Sequence, residues 1–162
     1  MFSIPIFIGI SKRFITTEGL TERSILKNTK ANVIIEHLYP KIESGCTGFT
    51  NIRYDIRYGI YLDCDMIVLG DIEELWSYHE KNKYVCLDDG STEVSVIDTD
   101  HLCTNKHNEH LINKSKTIPL TWNVKDEVIP NMKLLHFTSL ATQPWFFDHP
   151  NKKAVEIYND YK

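Results

Sequence analysis

Apolar positions along the 162-residue chain fall into short runs separated by polar, turn-forming stretches. Residues 4–10 (IPIFIGI) are apolar and β-branched, which predicts a buried strand. Between Thr16 and Asn28, Leu20, Ile25 and Leu26 recur at helical spacing, with Thr17 and Glu18 near the start of the predicted helix. Residues 32–38 (NVIIEHL) predict a second strand, and YPKIESGCTGFTN after it predicts a loop. The strongest strand signal is 60–69 (IYLDCDMIVL), stopped by Gly70. Asp71 then caps DIEELWSYHE, a predicted helix with Ile72, Leu75 and Trp76 on one face. Strand alternating with helix implies an α/β fold whose first strands are parallel. The second half is less regular. Residues 84–89 and 93–98 predict strands joined by a turn containing Gly90. Residues 100–116 predict a polar surface helix or loop. Residues 132–137 predict a strand, and 150–161 a closing helix begun by Pro150. No internal repeat or long linker interrupts this, so 1–162 is read as one domain.

Composition narrows the class. The 22 Asp and Glu residues outnumber 18 Lys and Arg, for a formal charge of −4, and 42% of residues are hydrophobic. That is the profile of an ordinary globular protein with a real core. It argues against a nucleic-acid-coating role, which needs a concentrated positive footprint. No stretch approaches the ~20 apolar residues that cross a bilayer. The apolar N-terminus lacks a charged leading region and a small-residue cleavage site, and is read as a strand rather than a signal peptide. The four cysteines, Cys46, Cys64, Cys86 and Cys103, form no C-x-x-C pair, so a reducing, cytoplasmic setting is the expectation.

The anomaly is Asp63 and Asp65 inside an apolar strand. Positions i and i+2 of a strand share a face, so both carboxylates would project together. Neighbouring like charges raise one another's pKa unless a cation sits between them. Carboxylate oxygens suit hard divalent ions such as Mg²⁺ or Mn²⁺. A strand ending there would put the pair at its carboxyl end, where open α/β sheets bind ligands. The alternative is a shorter strand with both aspartates at a solvated turn. Cys64 should face away, into the core, and Asp71 is read as a helix cap.

The run GCTGFTNIRYDIRYGIYLDCDMIVLGDIEELW (45–76) resembles the nucleotide-sugar-binding half of GT-A fold glycosyltransferases, glycosyltransferase family 8 and its compact bacterial and viral relatives above all. That family carries a phenylalanine–arginine segment, an apolar YLD-x-D strand and then V-x-x-D-I-x-x-L-W. A second stretch, KLLHFTSLATQPW (133–145), is similar to the family's H-F-x-G-x-x-K-P-W. IFIGISKRF at the start and TWN (121–123) also resemble it. The resemblance implies a single GT-A-like, Rossmann-like domain with a mixed, mainly parallel sheet flanked by helices. Residues 1–98 would form the nucleotide-sugar and metal half, and 99–162 an abbreviated acceptor region with the metal histidine. It further implies that Asp63, Asp65 and His136 ligate Mn²⁺ or Mg²⁺, and that Arg53 lies near a UDP-sugar or other nucleoside-diphosphate-sugar donor. Ser95 falls in the slot of a sugar-contacting motif, and Trp145 at the donor pocket or behind the His136 loop. The implied acceptor is a glycan, a lipid-linked molecule or a protein. No residue stands out as nucleophile or base.

The chain departs from the family pattern where Gln143 stands in place of a phosphate-contacting lysine; an amide can donate a hydrogen bond but brings no charge. Other constellations compete less well. His101, Cys103, His107 and His110 offer soft-metal ligands, but their spacing matches no common zinc finger. Core packing is expected of Phe146 and Phe147, while Asp126 and Glu127, which follow TWN, offer either a catalytic carboxylate or, the favoured reading, a solvated turn. Lys12 and Arg13 follow the first strand, where a diphosphate or plain solvent is equally expected. A D-x-D phosphohydrolase of the haloacid-dehalogenase type would begin with its motif, whereas two strand–helix units precede Asp63. A degenerate transferase domain serving as a binding module is the non-enzymatic alternative.

Overall fold

The computed structural model describes residues 2–10, 18–39, 55–99 and 116–162. In chain order these form β1 (Ile4–Gly9), α1 (Glu18–Asn28), β2 (Val33–Leu38), β3 (Tyr58–Asp63), β4 (Met66–Val68), α2 (Ile72–Trp76), β5 (Lys83–Val85), β6 (Val94–Asp98), a 3₁₀ turn (Leu120–Trp122), β7 (Val124–Lys125), β8 (Leu134–His136) and α3 (Lys152–Asn159). Five strands make a mixed sheet in the order β2-β1-β3-β6-β5. Its first three strands run parallel, as the alternating pattern implies, while β6 is antiparallel to both β3 and β5. A second sheet, β4-β8-β7, stands beside it. One apolar cluster joins the two, with Ile6, Ile60, Leu62 and Val96 from the first packed with Met66, Val68 and Leu134 from the second.

The predicted strand over 60–69 is two strands. β3 ends at Asp63, Cys64 and Asp65 form a turn, and β4 pairs in the other sheet. The two aspartates therefore do not share the face of one strand. The apolar run is continuous because both halves are fully buried, and hydropathy does not register a change of sheet. Cys64 is buried in the core as expected. Other elements are shorter than their predicted spans. β5 stops at Val85, with Leu87 making an isolated bridge to Ile118. α2 ends at Trp76, and α3 is capped by Asn151 rather than begun by Pro150.

Helix α1 corrects the expected apolar face. Leu26 is 56% exposed, whereas Thr21 and Ser24 are fully buried. The free edge of β4 explains the exchange, because buried backbone groups need partners. Thr21 Oγ1 donates to the carbonyls of Cys64 (2.9 Å) and Met66 (2.7 Å). Val68 N donates to Ser24 Oγ at 2.9 Å, and Asn28 Nδ2 donates to the Val68 carbonyl at 2.8 Å. A polar stripe on the helix thus completes the strand that follows the D-x-D turn.

Candidate metal and donor site

Asp63 closes β3 at the carboxyl end of the parallel strands, opposite Gly9 of β1. Asp65 occupies the turn two residues on. His136 ends β8 opposite Met66, and the Phe137 N–H donates to the Asp65 carbonyl at 3.0 Å. That backbone bond locks the turn to the histidine strand. One ligand atom from each of Asp63, Asp65 and His136 then lies within 4.8 Å of the other two. His136 Nε2 is 3.0 Å from Asp65 Oδ1.

Asp63 and His136 are each held from behind. The Tyr61 hydroxyl donates to Asp63 Oδ1 at 2.6 Å. Its ring end lies over Gly9, where an added Cβ would come within 2.3 Å of the hydroxyl oxygen. A side chain at Gly9 would push that hydroxyl away. His136 Nδ1 is 2.8 Å from Asn123 Oδ1, Asn123 Nδ2 donates to Glu93 Oε2 at 2.7 Å, and Lys125 Nζ lies 2.8 Å from the same oxygen. Burial works against charge on His136, but the adjoining Asp65, with Asp63 and Glu93, holds its pKa above the usual histidine range. Burial likewise opposes charge on Glu93. The hydrogen bonds from Lys125 and Asn123, and the charge of His136, nonetheless keep its carboxyl below the ordinary value.

Tyr61→Phe keeps the ring and removes the hydroxyl that donates to Asp63. We expect Mn²⁺ affinity to fall about tenfold, the lower end of what losing such an outer partner costs. Mn²⁺ electron paramagnetic resonance checks it, with the urea midpoint as control.

The other sequence-derived candidates are placed as follows. Ser95 pairs with Tyr61 across β3–β6, is fully buried, and donates its hydroxyl to the Thr92 carbonyl at 2.9 Å. Trp145 packs edge-on to Phe137 (5.6 Å between centroids) and against Tyr158 (6.0 Å), behind the His136 segment. Gln143 is buried, and its amide donates to the Phe137 carbonyl at 3.0 Å, so it braces the loop. Asp126 is also a brace: its carboxylate accepts from the Thr138 hydroxyl at 2.5 Å and from the Ser139 N–H. Glu127 is exposed. The core role expected of Phe146 and Phe147 is corrected, for they are 48% and 54% exposed while Trp145 turns inward instead. Asp71 caps α2, accepting from the Glu73 N–H (3.0 Å) and the Thr29 hydroxyl (2.7 Å). Arg53, Lys12, Arg13, His101, Cys103, His107 and His110 lie outside the described residues.

Sequence reasoning missed Tyr61, Glu93 and Asn123. The signals were there in outline: a tyrosine two residues before Asp63, and the TWN that precedes the histidine. The donor set itself fits a hard divalent cation. Two carboxylates supply oxygen and the imidazole supplies nitrogen, and Asp63 and His136 each have an outer partner that fixes their orientation.

No protein-family model and no curated protein sequence matches the chain. Among solved structures it is similar to glycosyltransferases. It matches apo GlyE of Streptococcus pneumoniae TIGR4 with a TM-score of 0.67 at 14% identity, over 98% of this chain and 60% of that one. It matches the apo bifunctional glycosyltransferase WbbM with a TM-score of 0.67 at 14% identity, over 98% and 49%. It matches the galactosyltransferase LgtC, solved with donor and acceptor sugar analogues, with a TM-score of 0.62 at 11% identity, over 98% and 96%. The fold is that of the GT-A glycosyltransferases. The chain spans about 60% of the length of GlyE and about half of WbbM.

Proposed function

We propose that residues 1–162 form one transferase domain that moves a sugar from a nucleoside-diphosphate donor to a glycan, lipid-linked or protein acceptor. The observation that carries this reading is the convergence of Asp63, Asp65 and His136 at the carboxyl end of the parallel strands, in a fold shared with glycosyltransferases. A divalent cation held by these three would neutralise charge that builds on the departing nucleoside diphosphate. Asp63 and Asp65 place the negative charge, Tyr61 and Asn123 orient the ligands, and Trp145 and Gln143 hold the His136 segment in place. Arg53 is proposed near the donor on its motif alone. Among the described residues, no helix is long and apolar enough to cross a membrane. A reducing, cytoplasmic setting is proposed on the cysteine spacing alone.

Release of UDP or GDP from a panel of nucleotide sugars in Mn²⁺ tests the activity. Hydrolysis of one donor that stops with EDTA supports a transferase. Donor binding without turnover would favour the binding-module reading.

Metal binding should depend on pH in one direction. A proton on His136 Nε2 excludes a cation, and this histidine holds its proton to a higher pH than the ordinary ~6.5. Mn²⁺ affinity is expected to rise as pH climbs through that raised pKa. The metal-free fold runs the opposite way. Its protonated His136–Asp65 pair contributes fully below the unfolded-state pKa and is lost as pH rises through the folded one. Mn²⁺ titrations and thermal melts at about pH 6 and about pH 8 should therefore move in opposite senses.

A further inference from the structure

We propose that Asn123, clamped by Glu93 and Lys125, is a positioning residue that keeps the single proton of neutral His136 on Nδ1 and so leaves the Nε2 lone pair open to a cation. The inference rests on reading Asp63, Asp65 and His136 as the metal site.

A neutral imidazole carries one N–H, and two acceptors compete for it here. Asp65 Oδ1 lies 3.0 Å from Nε2, and Asn123 Oδ1 lies 2.8 Å from Nδ1. A carboxylate is a stronger acceptor than an amide oxygen, so Asp65 alone would draw the proton to Nε2. That tautomer presents an N–H where a ligand lone pair is needed. Asn123 opposes this, and its amide is unable to turn. Glu93 is an acceptor only, so Asn123 must show its NH₂ to Glu93 and its carbonyl to His136. A flipped amide would set its oxygen against the Glu93 carboxylate, acceptor against acceptor.

The clamp is built into the fold from three directions. Asn123 is 4% exposed, and its N–H donates to the Leu120 carbonyl at 2.9 Å, closing the 3₁₀ turn. Glu93 comes from the residue just before β6 and is fixed by Lys125 Nζ at 2.8 Å. Lys125 itself pairs with His136 in the β7–β8 register, so the cation that holds Glu93 travels with the histidine it serves.

The test reads the tautomer and the metal separately. Imidazole ¹⁵N shifts of His136 are measured in the metal-free protein above its titration, and Mn²⁺ affinity by electron paramagnetic resonance. The parent protein should show the Nδ1-protonated tautomer. Asn123→Leu should move the proton to Nε2 and lower Mn²⁺ affinity about ten- to hundredfold. The double variant Asn123→Asp/Glu93→Gln exchanges carboxylate and amide at unchanged net charge and keeps an acceptor facing Nδ1. It should recover the parent tautomer and an affinity within about threefold of the parent, a rescue that a merely space-filling role would not give. An Nε2-protonated parent overturns the proposal, as does a folded Asn123→Leu variant with the parent tautomer. If the parent binds no Mn²⁺, the metal reading fails, and the ¹⁵N shifts alone then decide whether Asn123 sets the tautomer.

Discussion

Asp65→Asn is expected to abolish metal-dependent donor binding while leaving the fold in place. The side chain reaches the site, and the main chain does the structural work. The Asp65 carbonyl accepts from the Phe137 N–H at 3.0 Å, joining the turn to β8, and that bond survives the substitution. The side chain is 13% exposed and faces His136 Nε2, so an amide of the same size fits without a cavity. What is lost is one of two carboxylates in a three-ligand set. The loss should exceed about a hundredfold in Mn²⁺ affinity, beyond the cost of removing an outer partner. Calorimetric titration of nucleotide in the presence of Mn²⁺ checks this, with a far-UV spectrum and urea midpoint to confirm folding. Parent-like binding by the variant would place the metal elsewhere.

Trp122→Ala is expected to have the largest effect on stability. Trp122 is 1% exposed and belongs to the cluster that joins the two sheets. Gly70 makes room for it: a Cβ there would lie 2.9 Å from Trp122 Cη2 and 3.0 Å from the Lys133 side chain. Removing the indole leaves a cavity that the rigid 3₁₀ turn and the Gly70 corner are poorly placed to fill. The cost should be about 3–5 kcal/mol, a large share of the ~5–15 kcal/mol that holds a domain together. The neighbouring Leu120 is 47% exposed. Leu120→Ser should change stability by less than about 0.5 kcal/mol. Urea unfolding of both variants measures the contrast. Equal losses would mean that the indole is not the anchor its burial indicates. Asn123 follows Trp122 directly, so the core residue and the positioning residue are set by one short turn.

The metal candidates were legible because two separated motifs, YLDCD and HF-TSLATQPW, stand in family order and carry unlike ligands. The parallel start of the sheet was legible from strands alternating with a helix. Where the reading departed from the structure, the cause was tertiary. Met66 and Val68 are as apolar as Ile60 and Leu62, so nothing in the run marks the step from one sheet to the other at Cys64 and Asp65. Thr21 and Ser24 look like a solvent face until β4 supplies an edge for them to satisfy. Phe146 and Phe147 look like core until Trp145 takes the inward position against Phe137 and Tyr158. Asn123 carries no sign of its task in the local sequence. Its meaning depends on Glu93, 30 residues away in sequence, and no local pattern connects the two.

The most direct test of the central claim is calorimetric titration of the parent protein with UDP and with GDP, each in Mn²⁺ and again in EDTA. The account predicts micromolar binding of one nucleotide in Mn²⁺, gone in EDTA and gone in Asp65→Asn. Failure of both nucleotides to bind in Mn²⁺, or binding that EDTA leaves unchanged, would contradict a metal-dependent donor site built on Asp63, Asp65 and His136.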